Sequence, residues 1–157
     1  MKDIVQLDGF FPYRLAIAAE AFSRSLMKVY GRRYGLSREE WRLLFLLAGV
    51  DAMTSLELGQ RTTLDKVQVS RAAQRLEEKG LISRAIAASD RRLRLYSCTE
   101  QGKALFAEIL PQVETQARGI LQAMPETDRA ALERGLAALL VAIDSVNTVA
   151  DETQRSA

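Results

Sequence analysis

The chain has no histidine, one cysteine and three prolines in 157 residues. Without histidine there is no Ser-His-Asp triad, no Cys-His pair and no His-based zinc or iron site. The lone Cys98 cannot close an internal disulfide, which excludes a secreted disulfide scaffold. No run of about 18 apolar residues occurs, so no bilayer-spanning helix is expected. No N-terminal stretch joins a basic start, an apolar run and a small-residue cleavage site. The expected compartment is the cytoplasm, with no membrane partner. A Gly-rich phosphate loop is missing, and the carboxylates show no spacing suited to a metal. These absences point away from an enzyme: no catalytic residue, no metal and no cofactor is expected.

What is present is apolar and helix-forming. Residues of the hydrophobic class make up 48% of the chain, enough for a real core and too much for general disorder. Ala, Leu, Glu and Arg dominate, which favours a mainly α fold. The net charge of +2 conceals an uneven distribution. Residues 1–60 carry a net +1, residues 61–103 a net +5 (10 Lys/Arg against 5 Asp/Glu) and residues 104–157 a net −4. A basic middle third suits a polyanionic partner.

Apolar residues at Phe11, Leu15, Ala18, Phe22, Leu26 and Val29 recur at helical spacing and predict a helix over 10–34, stopped at Gly35. Ser37 and Glu40 form a capping box for a second helix, to about Ala48, apolar on most sides and expected to be the most buried element. Thr54 and Glu57 repeat the device for a short helix, 54–61, and Asp65 caps the next, 66–79, which Gly80 ends. Two short helices with a tight connection suggest a helix-turn-helix. On the second of them Val69, Ala72, Ala73 and Leu76 share one side. Val67, Ser70, Arg71, Gln74 and Arg75 share the other, with Lys66 and Gln68 flanking them.

The run "ASDRRLRLYS", 88–97, then interrupts the helices. Alternation at Ile82 and Ile86 and at Tyr96 and Cys98 predicts strands over 81–87 and 93–98. Thr99 caps a helix over 100–122, with a kink expected at Pro111. A last helix is expected over 125–148, striped by Leu132, Leu136, Leu139, Leu140, Ile143 and Val146, with a flexible tail at 150–157. The order of helix, turn, helix and hairpin has a mechanism. A recognition helix fits the major groove, and a hairpin beside it reaches a neighbouring minor groove. Arginine is favoured in a narrow minor groove, where negative potential is focused. The tip Asp90-Arg91-Arg92 therefore reads as an arginine aimed by a neighbouring carboxylate.

Residues 64–102 resemble the MarR family of winged-helix transcriptional regulators. The likeness rests on Asp65, Val69-Ser70-Arg71, Arg75-Leu76-Glu77, Gly80-Leu81-Ile82, Arg84, Asp90-Arg91-Arg92, Thr99-Glu100 and Gly102. Upstream, "TSLELG" is similar to the family's Thr-x-x-Glu-Leu-Ala, with Gly59 where Ala is usual. Gln68 stands where Thr is common, and Cys98 where Leu is common.

The resemblance implies a winged helix-turn-helix with a two-stranded β wing over 37–99, flanked by dimerisation helices at 10–34 and 100–148. It implies a homodimeric, sequence-specific regulator, most simply a repressor, bound to double-stranded DNA at a pseudo-palindromic operator. Its half-sites would lie about one helical turn (roughly 34 Å) apart. Residue by residue, Ser70, Arg71 and Gln74 become major-groove candidates, and Gln68 and Arg75 bind phosphate or base edges. Arg92, then Arg91, enters the minor groove, Asp90 positions them, and Lys66 and Arg94 neutralise phosphates.

The family also binds small, often aromatic and anionic effectors between the dimerisation helices and the winged domain. Arg14 and Trp41 are the residues assigned to such a site, although dimer-surface and core roles compete for them. Peroxide-sensing relatives place their cysteine near the first helix; Cys98, on a strand, reads as a packing residue instead. A winged protein- or RNA-interaction module without an operator remains the alternative.

Overall fold

The computed structural model describes residues 9–86, 88 and 94–155. They divide into two compact units, Met1–Ala117 and Arg118–Ala157. The elements, in chain order, are α1 (Phe11–Tyr34), α2 (Arg38–Ala48), β1 (Met53–Thr54), α3 (Ser55–Arg61), α4 (Lys66–Glu78), β2 (Ile82–Ile86), β3 (Arg94–Cys98), α5 (Glu100–Gln122) and α6 (Glu126–Arg155).

Local chemistry sets these boundaries. Ser37, Thr54 and Asp65 each accept the third backbone N–H of the helix they open, and Glu40, Glu57 and Gln68 reach back to complete three capping boxes. Helices α1 and α4 are followed by Gly35 and Gly80, both at positive φ (64° and 72°). In each case the next residue, Leu36 or Leu81, donates its N–H back into the last turn, to Tyr30 O or Leu76 O. The same leucines are buried, so each stop also delivers an apolar anchor to the core. Helix α5 continues through Pro111; the proline does not end it.

The first unit holds the core. Leu43, Leu44 and Leu47 of α2, Leu58 of α3, Leu76 of α4 and Ile109 of α5 are fully buried, with Val69, Ala72, Ala73, Ile82 and Tyr96 around them. Trp41 stacks between Tyr30 (centroids 5.1 Å) and Phe106 (5.4 Å). Helix α2 is buried as its composition predicts, except that Phe45 stands 52% exposed, edge-on to Phe106.

Two expectations need correction, and one is extended. The expected two-stranded hairpin is present as β2 and β3, and β1 adds a third strand at the free edge of β3, giving the order β1-β3-β2. Strand β1 pairs Met53 with Tyr96 and Thr54 with Leu95. It is too short to show alternation, and an N-cap residue already has extended φ and ψ, so Thr54 caps α3 and pairs with β3 at once. Ile86 is 60% exposed, whereas Ile82 is buried; only the inner end of the hairpin lies against the helices. Helix α6 runs on to Arg155, past the expected stop near 148. It buries none of its described side chains; Leu132, Leu136, Leu140, Val141, Ile143 and Val146 are all exposed.

The end of α4 is tied to the α1–α2 junction. Lys79 donates to Gly35 O (2.8 Å) and to Glu40, and the same Glu40 carboxylate oxygen accepts the Ser37 N–H. Glu40 is buried, at 2% exposure. Lys79→Met strands that carboxylate with only its backbone donor. Discounted for the exposure of Lys79, the expected cost is about 2 kcal/mol. In urea unfolding this appears as a lowered midpoint with unchanged slope. An unchanged midpoint would show that water replaces the ammonium at no cost.

Candidate nucleic-acid interface

The DNA-facing residues start from α4. Its buried side is Val69, Ala72, Ala73 and Leu76. Lys66, Val67, Gln68, Ser70, Arg71, Gln74 and Arg75 are all exposed. The periodicity therefore places both faces correctly. Among the described residues, no carboxylate lies within 4.0 Å of Lys66, Arg71, Arg75 or Arg94. These four cations are free to meet phosphates or base edges. Arg84 is not: it pairs with Glu77 at 3.4 Å, bracing β2 against α4.

A cleft of about 680 Å³ opens between α3, the start of α4 and β3. It brings Lys66 and Ser70 of α4 together with Arg94 and Tyr96 of β3. Arg94 shares the Tyr96 face of the strand and pairs with Ile86 across the hairpin. Ser55 and Gln60 of α3 line the same cleft and escape the sequence reading. Their only signal is position, on the first helix of the helix-turn-helix.

Two amides are already engaged. The Gln68 side-chain oxygen accepts the Asp65 N–H at 2.9 Å. Gln68 therefore completes a capping box, a role visible in the Asp-x-x-Gln spacing, and keeps its two amide N–H groups and one oxygen lone pair for DNA. Gln74 donates one Nε2 hydrogen to Glu78 at 2.9 Å. A bidentate adenine contact uses the amide oxygen and one N–H, so the second N–H and the oxygen of Gln74 remain for it. Asp90, Arg91 and Arg92 lie outside the described residues.

The effector pair is not brought together within one chain. Trp41 is 7% exposed, inside its aromatic stack. Arg14 is exposed near the start of α1, about 24 Å along the helix from Tyr30 at 1.5 Å per residue. Phe45 and Phe106, which the sequence reading passes over as ligand residues, adjoin Trp41. Cys98 is half-buried and its Sγ lies 3.7 Å from Leu81 O. Burial pushes its thiol pKa up, against a smaller opposing effect of Lys103. That is the reverse of what a reactive thiolate needs. Among the described residues no group of His, Cys, Asp and Glu is placed to hold a metal. Of the described helices, none is long and apolar enough to cross a membrane.

A helix held by its apolar side with a free cationic side, preceded by a short packed helix and followed by an antiparallel hairpin, defines a winged helix-turn-helix DNA-binding unit. Comparison with known proteins agrees. Residues 34–93 match the MarR family model. A MarR family transcriptional regulator from Silicibacter pomeroyi DSS-3 superposes with a TM-score of 0.75 at 28% identity, over 87% of this chain and 97% of that one. A probable transcriptional regulator from Pseudomonas aeruginosa gives 0.72 at 27%, over 86% and 99%. The homoprotocatechuate degradative operon repressor of Escherichia coli is 28% identical over 103 residues, 66% of this chain and 67% of that protein. The chain is thus similar to MarR family transcriptional regulators through its winged segment, and a DNA-binding transcriptional regulator is the class these likenesses support.

Proposed function

We propose that the protein is a homodimeric repressor that occupies a pseudo-palindromic operator and leaves it when a small aromatic anion binds. The free polar and cationic face of α4, beside Arg94 on the wing strand, carries the DNA reading. Ser70, Arg71 and Gln74 read base edges. Arg75 and the amide of Gln68 bind phosphate or base edges, and Lys66 and Arg94 bind phosphate. Arg92 and Arg91, positioned by Asp90, are assigned to the minor groove from sequence. The repressor sense follows the likeness to the Escherichia coli repressor. Acting on the genome, the protein works in the cytoplasm.

The division into dimerisation helices at 10–34 and 100–148 and a DNA-binding segment at 37–99 has physical support. Phe10, Phe11 and Ile17 at the start of α1 and six apolar residues of α6 are exposed in the single chain. Apolar surface of that extent is what association covers. For the effector, the reading now centres on Trp41, Phe45 and Phe106, where the exposed Phe45 gives a flat ligand an aromatic surface. Arg14 contributes only from a second copy's α1. The ligand shifts DNA binding only through its differential affinity for the two dimer forms.

Selection of binding sites from a random duplex pool tests this reading. The expected enriched sequence is an inverted repeat with half-site centres about 10 base pairs apart. Enrichment of a single unrepeated site, or none, contradicts a symmetric regulator and favours an interaction module.

A further inference from the structure

We propose that Val67 is a base-reading residue that contacts the methyl group of a thymine in each half-site. The inference rests on the regulator reading above and adds a specificity determinant to it. At about 100° per residue, Val67 lies diametrically opposite Leu76, nine positions on. Leu76 is fully buried at 0% exposure, whereas Val67 is 57% exposed. Val67 therefore lies in the middle of the exposed face of α4, flanked by Ser70 and Arg71 one turn on and by Gln74 two turns on.

The other four apolar residues of the helix, Val69, Ala72, Ala73 and Leu76, are all buried. Val67 thus contributes nothing to the core. A β-branched residue is also a slightly poorer helix former than the lysine, arginine and glutamine around it. What it offers is two methyl groups in a stiff rotamer, at the first turn, where the helix end approaches the bases. In the major groove the apolar feature that the bases display is the thymine C5-methyl. A valine in the middle of an otherwise polar face matches that feature and no hydrogen-bonding edge.

The test uses the selected operator with deoxyuridine replacing thymine, one symmetric pair at a time, which removes only the methyl. Wild type is expected to lose about fourfold per half-site at one pair, the worth of one buried methyl group. Val67→Ala loses a similar factor on the thymine operator and becomes insensitive to uracil at that pair. Val67→Thr, of the same shape, keeps part of the sensitivity. Thermal unfolding of Val67→Ala does not fall below the wild-type midpoint and rises by at most about 2 °C, because the side chain is exposed and alanine is the better helix former. Indifference of wild type to every uracil, or equal uracil penalties in wild type and Val67→Ala, overturns the inference while leaving the regulator intact. Failure of wild type to prefer its operator over scrambled duplex sinks both.

Discussion

Gly102→Ala is expected to destabilise the winged unit more than any other single methyl added to a glycine of this chain. A Cβ at Gly102 would stand 2.0 Å from Leu81 O and 2.8 Å from Cys98 Sγ. Neither the first contact nor its neighbours yield easily. Leu81 O is backbone and accepts the Thr99 N–H at 3.0 Å. Thr99 caps α5, accepting the Gly102 N–H at 3.0 Å and donating to Gly80 O at 2.7 Å. The glycine thus lets the first turn of α5 lie directly on the residue that enters the wing. Forcing them apart breaks the cap as well as the contact, so the cost should reach or exceed the roughly 3 kcal/mol upper range of overpacking. At about 2–4 °C per kcal/mol the melting temperature falls by about 10 °C. Gly59→Ala is the contrast: its Cβ meets nothing within 4 Å, so α3 gains about 0.5–1 kcal/mol. A Gly102→Ala protein melting with wild type would show that α5 shifts freely, and that the close approach is not essential.

Arg71→Ala is expected to weaken operator binding by about 1–3 kcal/mol per half-site, roughly 5- to 160-fold, and to relax discrimination at one base pair per half-site. Arg71 lies one turn beyond Val67 on the outer face, has no ion pair to a described carboxylate, and has the fork geometry that guanine accepts. Lys66→Ala, at the helix N-terminus, should behave differently. It weakens native and scrambled duplex alike and lowers the salt slope by about 1. Anisotropy titrations at several salt concentrations separate the two. Equal losses on both duplexes for Arg71→Ala would reassign it to phosphate.

Much of the winged unit is legible in the sequence because its signals are local. Ser37/Glu40 and Thr54/Glu57 announce helix starts by spacing alone, and the structure shows both boxes. The two faces of α4 follow from its 3.6-residue period. What escapes depends on partners distant in sequence. Strand β1 exists only because β3 lies beside Met53 and Thr54. The exposure of Ile86 depends on where the helices beneath the hairpin end, which alternation within one strand does not encode. The cleft that joins Lys66, Ser70, Ser55, Gln60 and Arg94 is assembled from three elements, so only its residues on α4 and the wing are visible in the chain. Arg14 and Trp41 are paired only by the family resemblance: Arg14 lies about 24 Å along α1 from Tyr30, the residue on which Trp41 stacks.

The central claim is that this chain reads a specific duplex. The most direct test is a fluorescence anisotropy titration against its own upstream region and a scrambled duplex of equal length, at two salt concentrations. A preference for the native duplex of about 10³-fold or more, surviving the higher salt, is the expected result. Equal, weak and strongly salt-dependent binding to both duplexes would contradict it, leaving only a basic surface on a winged fold.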